Sequence, residues 1–297
     1  MKTEKLLLDT DIGGDIDDAV CLAYLLREPR CELLGVTTVS GEPESRAAVA
    51  DAICQAAGRR VPIVAGTDAT LQPVSVYPRP EGAAALRRWP HEDFARGDAP
   101  GFMYERIAAH PGEVTLVAIG SMTNVAELFL AHPDAPGMLK GLYAMNGYFG
   151  AQPLPEPWYN WNAWADPLAT RIVMDSRVPV HRVFPLELTE TLTLPAERAG
   201  ALFAGKRFLL QALLDFGGAW LGSGGGLTLH DPLAAVAALY PDLCAYQRGD
   251  VSVETEDPER MGATTFAPNH EGRLQIARAV DRERFYRILF GALGIRP

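Results

Sequence analysis

The sequence predicts an α/β protein with an open, mostly parallel, Rossmann-like sheet and helices on both faces. Short runs rich in Leu and β-branched residues alternate with segments of helical period, and polar clusters follow several of these runs. Because ligands bind such sheets outside the carboxyl ends of the strands, we expect the active site there. A chain of 297 residues, 48% hydrophobic, is large enough for a sizeable core, so we predict a single domain over residues 1–297.

The predicted elements follow one another in strand-then-helix order. Apolar runs predict strands at residues 5–9, 33–39, 61–65, 114–119, 142–145 and 180–186. Apolar residues at helical spacing predict helices at residues 17–27, 44–57, 122–131 and 233–239. Residues 67–100 and 150–157 are rich in proline, so we expect surface loops there.

Composition excludes several classes of partner. The formal net charge is -10 and the chain has no run of Lys or Arg, which argues against nucleic acid or a membrane surface and favours a small ligand. The cysteines lack metal-binding or redox spacing and are expected to be reduced core thiols: Cys21, Cys31, Cys54 and Cys244. No apolar stretch approaches the roughly 20 residues that span a bilayer, so we predict a cytoplasmic protein.

Five aspartates lie within ten residues directly after the first predicted strand: Asp9, Asp11, Asp15, Asp17 and Asp18. Carboxylates this close repel one another unless a cation, shared protons or hydrogen-bond donors compensate them. A divalent metal is the simplest compensation, and oxygen donors suit Ca²⁺ or Mg²⁺. Asp11 and Asp18 could converge on one ion. The alternative is that Asp15 to Asp18 only cap the following helix.

A phosphatase of the haloacid dehalogenase type offers another interpretation of the same segment. Such enzymes begin with a strand and an Asp-x-Asp pair, which Asp9-Thr10-Asp11 satisfies. This interpretation leaves Asp17-Asp18 and the later His230-Asp231-Pro232 without a role, so it ranks below the metal-site hypothesis.

Motifs in order along almost the whole chain resemble the inosine-uridine-preferring nucleoside hydrolase family. The first is Asp9-Thr10-Asp11-Ile12-Gly13 followed by Asp17-Asp18-Ala19, in the variant with extra residues between Gly13 and Asp17. The others are Val117-Ala118-Ile119-Gly120-Ser121-Met122-Thr123-Asn124, then Asn160-Trp161-Asn162 with Asp166-Pro167, then His230-Asp231-Pro232-Leu233.

The resemblance implies Ca²⁺-dependent hydrolysis of the N-glycosidic bond of a small ribonucleoside. It implies metal ligands at the Asp11, Asp18 and Asp231 side chains and at the Ile119 carbonyl, with Asp9 supporting Asp11. Asp11 is also the implied general base that activates a metal-bound water. His230 is the implied general acid for the departing base.

The resemblance also implies substrate contacts. Asp17 and Asn162 would hydrogen-bond the ribose, and Trp161 would pack on the sugar or base. The aromatic residues Trp158, Tyr159 and Trp164 either line the pocket or close the core. Asp15 lies in the inserted stretch and receives no role.

Several positions depart from the family pattern, and all of them concern the substrate. Asn160 replaces an acidic residue, Glu42 replaces an asparagine, a Gly-Asn pair is absent from residues 152–156, and a His-Gly pair is absent around residues 77–82. We therefore expect a nucleoside whose 5′ group or base differs from those of inosine and uridine. A non-catalytic nucleoside-binding homologue is the chief alternative. The resemblance also suggests a homodimer or homotetramer.

Overall fold

A computed structural model describes residues 3–72, 79–150, 160–204, 207–224 and 226–295. Within these ranges the strands are β1 (Glu4–Thr10), β2 (Cys31–Thr38), β3 (Ile63–Ala65), β4 (Val114–Ala118), β5 (Gly141–Met145), β6 (His181–Phe184), β7 (Thr193–Leu194), β8 (Leu227–Thr228), β9 (Cys244–Val253), β10 (Thr264–Pro268) and β11 (Leu274–Val280).

The helices of the same ranges surround the sheet. They are α1 (Asp17–Arg27), α2 (Pro43–Ala56), α3 (Ala99–Ala109), α4 (Thr123–Ala131), α5 (Ala135–Met138), α6 (Trp161–Ala165), α7 (Pro167–Met174), α8 (Leu186–Thr189), α9 (Ala196–Phe203), α10 (Phe208–Phe216), α11 (Gly218–Gly222), α12 (His230–Leu239) and α13 (Arg282–Leu293). Two 3-10 helices cover Glu81–Arg88 and Glu190–Leu192. In these described parts of the chain, no helix has the length and apolar character needed to cross a membrane.

Nine of the strands in the described residues form one sheet, in the order β10-β9-β11-β6-β5-β4-β1-β2-β3. Every described pairing from β3 across to β11 is parallel, and β9 is antiparallel to both of its neighbours. The prediction of an open, mostly parallel sheet is therefore confirmed. Strands β7 and β8 pair separately as a small antiparallel ribbon.

Both faces of the sheet are buried. Along β1, Leu6 and Leu8 pack into one apolar layer with residues of α1, α12 and α13, whereas Leu7 packs into a second layer with residues of α3 and α4. A parallel strand covered on both faces reads as a continuous apolar run, which is why residues 6–8 are all leucine.

The strand order reverses beside β1. The chain proceeds from β1 to β2 and β3 on one side, whereas β4, β5 and β6 lie on the other. The loops that leave β1 and β4 therefore diverge to opposite faces and open a crevice, the place where such sheets bind ligands. The aspartate-rich turn and the segment Ile119–Asn124 both begin at this crevice.

Two sequence predictions need correction or restriction. The loop predicted at residues 67–100 contains the 3-10 helix Glu81–Arg88, in which Gly82 and Ala85 are buried. The small residues of this segment carry no clear apolar pattern, so its contact with the core could not be predicted. The loop predicted at residues 150–157 lies outside the described residues except for Gly150.

Candidate active site

The aspartate-rich turn connects β1 to α1 and brings three carboxylates together. One carboxylate oxygen of each of Asp15, Asp17 and Asp18 lies within 4.8 Å of the others, an arrangement that could hold a metal ion. Gly13 permits the turn, because its φ is 111° and an added Cβ would meet Cβ of Pro80 at 2.7 Å. Asp15, which received no role from the sequence, is thus a member of the cluster.

Asp15 also contacts the helix. Its Oδ1 accepts a hydrogen bond of 3.0 Å from the backbone N–H of Asp17, in the first turn of α1. Asp15 therefore satisfies one N–H of the first turn, although the N-cap residue is Ile16, which makes no side-chain capping bond. Asp17 and Asp18 lie in that first turn and are buried, so the helix dipole favours their charge without neutralising it.

Asp9 lies beneath the turn and is completely buried. Its Oδ1 accepts hydrogen bonds from the Thr37 hydroxyl at 2.6 Å and from the Asn124 amide at 2.8 Å. Its Oδ2 is buried and has no hydrogen-bond partner among the described residues. Burial raises the pKa of Asp9 to about 7, against the effect of these hydrogen bonds.

Four further carboxylates in the turn and at the start of α12 have raised pKa values, namely those of Asp11, Asp17, Asp18 and Asp231. Burial is the largest cause in each case, and the neighbouring negative charges add to it. For Asp11 the pKa rises to about 6. For Asp17, Asp18 and Asp231 it rises well above the ordinary range.

Hydrogen bonds join the cluster to the elements around it. The backbone N–H of Asp231, at the start of α12, donates to Oδ2 of Asp17 at 3.1 Å. The Thr10 hydroxyl donates to Oδ1 of Asp18. The first turns of α1 and α12 are thereby held together, although their residues lie more than 200 positions apart in sequence.

The Ile119 carbonyl lies where β4 ends. It accepts a hydrogen bond from Nδ2 of Asn162 at 2.7 Å, and the same nitrogen donates to the Met145 carbonyl at 3.0 Å. Asn162 thus joins the ends of β4 and β5. A carbonyl oxygen has a second lone pair, so this hydrogen bond still leaves Ile119 able to ligate a cation.

Asn160 begins the short helix α6. Its Oδ1 accepts a hydrogen bond from the backbone N–H of Ala163 at 3.2 Å, and the residue is buried. Trp161 is 38% exposed, and its ring lies 5.0 Å from that of Trp164. Trp158 and Tyr159 lie outside the described residues.

Glu42 lies between β2 and α2 in a left-handed conformation, with φ of 60°. Its carboxylate forms an ion pair of 2.9 Å with Arg79, whose side chain is 86% exposed. The next residue is Pro80, which packs on the aspartate turn at Gly13, and Gly82 donates a backbone hydrogen bond to the Gly13 carbonyl at 3.0 Å. The segment that carries Arg79 therefore packs against the aspartate turn.

His230 is oriented by a hydroxyl. Its Nδ1 lies 2.7 Å from Oγ1 of Thr189, at the end of α8. Burial lowers the pKa of His230, and the charge of Asp15 raises it in opposition. Thr189 had no sequence signal, because a lone threonine carries no motif.

Arg46 is a second residue that sequence reasoning missed. It lies in the first turn of α2 and is 2% exposed. Its positive charge opposes the rise in the pKa of Asp11 and of Asp18. The cluster of negative charges thus has one buried cation of its own among the described residues.

Comparisons with known proteins point to one family. A family model described as inosine-uridine preferring nucleoside hydrolase matches residues 6–287. Uridine nucleosidase 1 of Arabidopsis thaliana is 29% identical over 278 residues, which cover 86% of this chain and 80% of the relative.

Two solved structures share the fold. The plant nucleoside hydrolase PpNRh1 is 24% identical, with 99% of each chain covered and a TM-score of 0.82. A purine-preferring ribonucleoside hydrolase from Gardnerella vaginalis is 24% identical, with 98% of each chain covered and a TM-score of 0.81. The predicted fold class and family are confirmed. Because the family model spans nearly the whole chain, this chain belongs to the inosine-uridine preferring nucleoside hydrolase family and is an N-glycosyl hydrolase.

Proposed function

We propose that this chain hydrolyses the N-glycosidic bond of a ribonucleoside, with Ca²⁺ as its cofactor, and releases the free base and ribose. The observation that carries the proposal is the group of Asp15, Asp17 and Asp18, whose carboxylates lie close enough together to hold a metal ion where the strand order reverses. Asp17, Asp18 and Asp231 are all buried there with raised pKa values. Such a group needs a cation to be fully ionised near neutral pH.

The donor atoms fit Ca²⁺. The proposed ligands are the side chains of Asp11, Asp18 and Asp231 with the carbonyl of Ile119, and all of these are hard oxygen donors that Ca²⁺ prefers. A bound cation would neutralise the carboxylates and make a nearby water more acidic. Asp15 offers a further carboxylate beside Asp18.

Asp11 is the proposed general base. As a proposed metal ligand, Asp11 would lie beside a water that the cation makes more acidic, and its carboxylate could accept the proton of that water. The water oxygen attacks the anomeric carbon, its proton passes to Asp11, and the bond to the base breaks. Charge at the anomeric carbon in an oxocarbenium-like transition state is stabilised by the surrounding carboxylates.

Asp17 and Asn162 are the proposed hydrogen-bond partners of the ribose hydroxyls. The hydrogen bond from the Asp231 N–H fixes the orientation of the Asp17 carboxylate. Asn162 uses its Nδ2 on two backbone carbonyls, which orients its Oδ1. Both side chains would therefore meet the sugar with little loss of conformational entropy.

His230 is the proposed donor of a proton to the departing base. Its contact with Thr189 fixes the ring. Since burial favours the neutral imidazole and Asp15 favours the protonated one, Asp15 supports this role. Asp15, in the inserted stretch, would then influence the leaving group through His230 and would also contribute to the metal site.

The 5′ end of the sugar is the proposed point of difference from inosine and uridine hydrolysis. Glu42 and Asn160 depart from the family pattern, Trp161 is partly exposed, and Glu42 is paired with Arg79. A charged pair at this position would favour a substrate whose 5′ group differs in polarity from that of inosine and uridine, or whose base differs from theirs. The named relatives include a uridine nucleosidase and a purine-preferring hydrolase, so they do not favour one base.

A panel of nucleosides tests the proposal. Purine, pyrimidine and 5′-modified ribonucleosides are incubated with the Ca²⁺-loaded protein, and free base and ribose are measured. We expect hydrolysis of at least one ribonucleoside, with a 5′-modified or base-modified compound preferred. Full activity confined to inosine would rule out the altered 5′ specificity. Nucleoside binding without release of base would favour the binding homologue instead.

Replacing Gly120 with alanine is expected to lower kcat about tenfold or more. An added Cβ would lie 2.9 Å from the backbone nitrogen of Asp11 and 2.8 Å from Cγ1 of Val39, so Asp11 must shift. A shift near 1 Å at a reacting group costs on the order of 100-fold. Initial rates of base release measure the effect.

Gly137 provides the matched control for this substitution. An added Cβ at Gly137 has nothing within 4 Å, so Gly137→Ala should retain the wild-type rate. Urea unfolding of both variants separates a local shift from a global loss of stability. A wild-type rate in Gly120→Ala would contradict the placement of Asp11 as the base.

A further inference from the structure

Arg46 contacts two loops that leave neighbouring strands. Its Nε donates to the carbonyls of Ser40 at 3.1 Å and Gly41 at 3.0 Å, after β2. Its Nη1 donates to the carbonyl of Ile12 at 3.2 Å and to that of Asp11, after β1. One guanidinium therefore joins the backbone that carries Asp11 to the turn that begins α2.

The turn after β2 has a costly backbone conformation. Ser40 has φ of 70° and Glu42 has φ of 60°, and neither is glycine. Such residues are strained and persist where the surroundings enforce them. The Ser40 and Gly41 carbonyls meet the guanidinium in this conformation, so Arg46 stabilises the turn.

A buried arginine needs a reason to be there. Its guanidinium lies inside the protein at 2% exposure, where a charge is tolerated when it is hydrogen-bonded and compensated. The carbonyls supply the hydrogen bonds, and the aspartate cluster supplies the opposite charge. Because Arg46 donates to the backbone of Asp11, its effect on the site is to fix where that residue lies.

We propose that Arg46 is a positioning residue, whose guanidinium holds the Asp11 loop against the turn at residues 40–42 and so fixes the Asp11 carboxylate for metal binding and proton transfer. This rests on the proposed function of Asp11. Lysine could not replace it, because a compact ammonium group lacks the planar fork that reaches carbonyls of two loops at once.

Two substitutions separate the charge of Arg46 from its shape. Arg46→Lys keeps the charge and loses the fork, and Arg46→Met loses both. We expect hydrogen exchange at residues 10–18 and 39–42 to become faster in both variants, and more so in Arg46→Met. We also expect the Kd for Ca²⁺ to rise about tenfold, which is typical when a residue that orients metal ligands is replaced.

Kinetics distinguish positioning from a general structural role. With a nucleoside that the wild type hydrolyses, kcat should fall about 100-fold in Arg46→Met and about tenfold in Arg46→Lys, because a misplaced base loses proton transfer. KM should change by less than about threefold, since Arg46 is not proposed to touch the substrate.

Arg182 is the matched control. It is a partly buried arginine on β6, lies over the rings of Tyr143 and Tyr246, and donates to Gln275 at 3.1 Å. Arg182→Met should leave exchange at residues 10–18, Ca²⁺ affinity and kcat unchanged.

The outcomes are separable. Wild-type exchange, Ca²⁺ affinity and kcat in both Arg46 variants would overturn the proposal, as would equally faster exchange along the whole chain. If the wild type releases no base from any nucleoside, the proposed function fails. Faster exchange confined to residues 10–18 and 39–42, with weaker Ca²⁺ binding, would still support the position assigned to Arg46.

Discussion

Asp11→Asn is expected to lower kcat by on the order of 1000-fold while the protein remains folded. A positioned general base contributes about 100-fold to 10,000-fold, and this substitution also removes a charged metal ligand. Stability in the absence of metal should not fall. Burial already raises the pKa of Asp11 to about 6, so a neutral amide relieves repulsion above that pH.

The measurement is kcat at saturating Ca²⁺ and nucleoside, with circular dichroism and urea unfolding on the same sample. Asp242→Asn is the control, because that exposed carboxylate pairs with Arg284 at 2.8 Å and a surface pair contributes little. Turnover at the wild-type rate in Asp11→Asn would exclude Asp11 as the base. If Asp11→Asn does not fold, Gly120→Ala becomes the test of Asp11, because that substitution leaves the carboxylate in place.

The parallel part of the fold could be predicted because its signals are local. The predicted helix at residues 17–27 agrees with α1 (Asp17–Arg27) at both ends, since two aspartates begin it and Arg27 ends it. The strand predicted to residue 186 ends at Phe184 instead, because Pro185 follows and cannot donate to a ladder. The first part of the antiparallel strand β9 was not predicted, since its residues Gln247, Arg248 and Asp250 are polar and exposed.

The residues of the candidate site likewise differ in whether a short sequence motif or only a contact distant in sequence reveals them. The aspartates and His230-Asp231 lie in short motifs, so sequence alone was enough to propose them. Arg46 was missed, because its role depends on carbonyls up to 35 positions away, which no spacing rule reveals. Asp15 was recognised as unusual, but its place beside Asp17 and Asp18 depends on how the turn folds.

The arrangement of charges explains why these contacts lie together. A sheet that reverses its strand order opens a crevice, and the first turns of α1 and α12 meet there through Asp17 and Asp231. Helix N-termini favour carboxylates, which lowers the cost of burying them. Arg46 supplies one positive charge, which is too little for the carboxylates around it, and the remaining imbalance is what a divalent cation would correct.

Metal-free protein should lose stability at this site as pH rises from about 4 to about 7. Asp11 and Asp9 have pKa values of about 6 and about 7 in the folded state, raised above their unfolded value of 3.8. Between pH 3.8 and these folded pKa values, the folded state binds more protons than the unfolded state. The stabilising contribution is therefore fully present below pH 3.8 and is lost as the pH rises through the folded pKa values.

Ca²⁺ should reverse this loss, and its effect should grow with pH. Binding requires ionised ligands, so protons compete with the metal at low pH. At a concentration 100 times the Kd, Ca²⁺ adds about 2.7 kcal/mol to the free energy of unfolding. The measurement is the difference in urea unfolding between Ca²⁺ and chelator at several values from pH 5 to 8.

Taking that difference removes the titration of groups away from the site. Burial lowers the pKa of His181 to about 3, so its protonation favours unfolding on the acid side, but equally with and without metal. Asp18→Asn should shrink the Ca²⁺ effect at every pH, because it removes a proposed ligand and one of the titrating carboxylates. A Ca²⁺ effect that is absent, or independent of pH, would mean that the aspartates share protons instead of a cation, and the proposed cofactor would have to be abandoned.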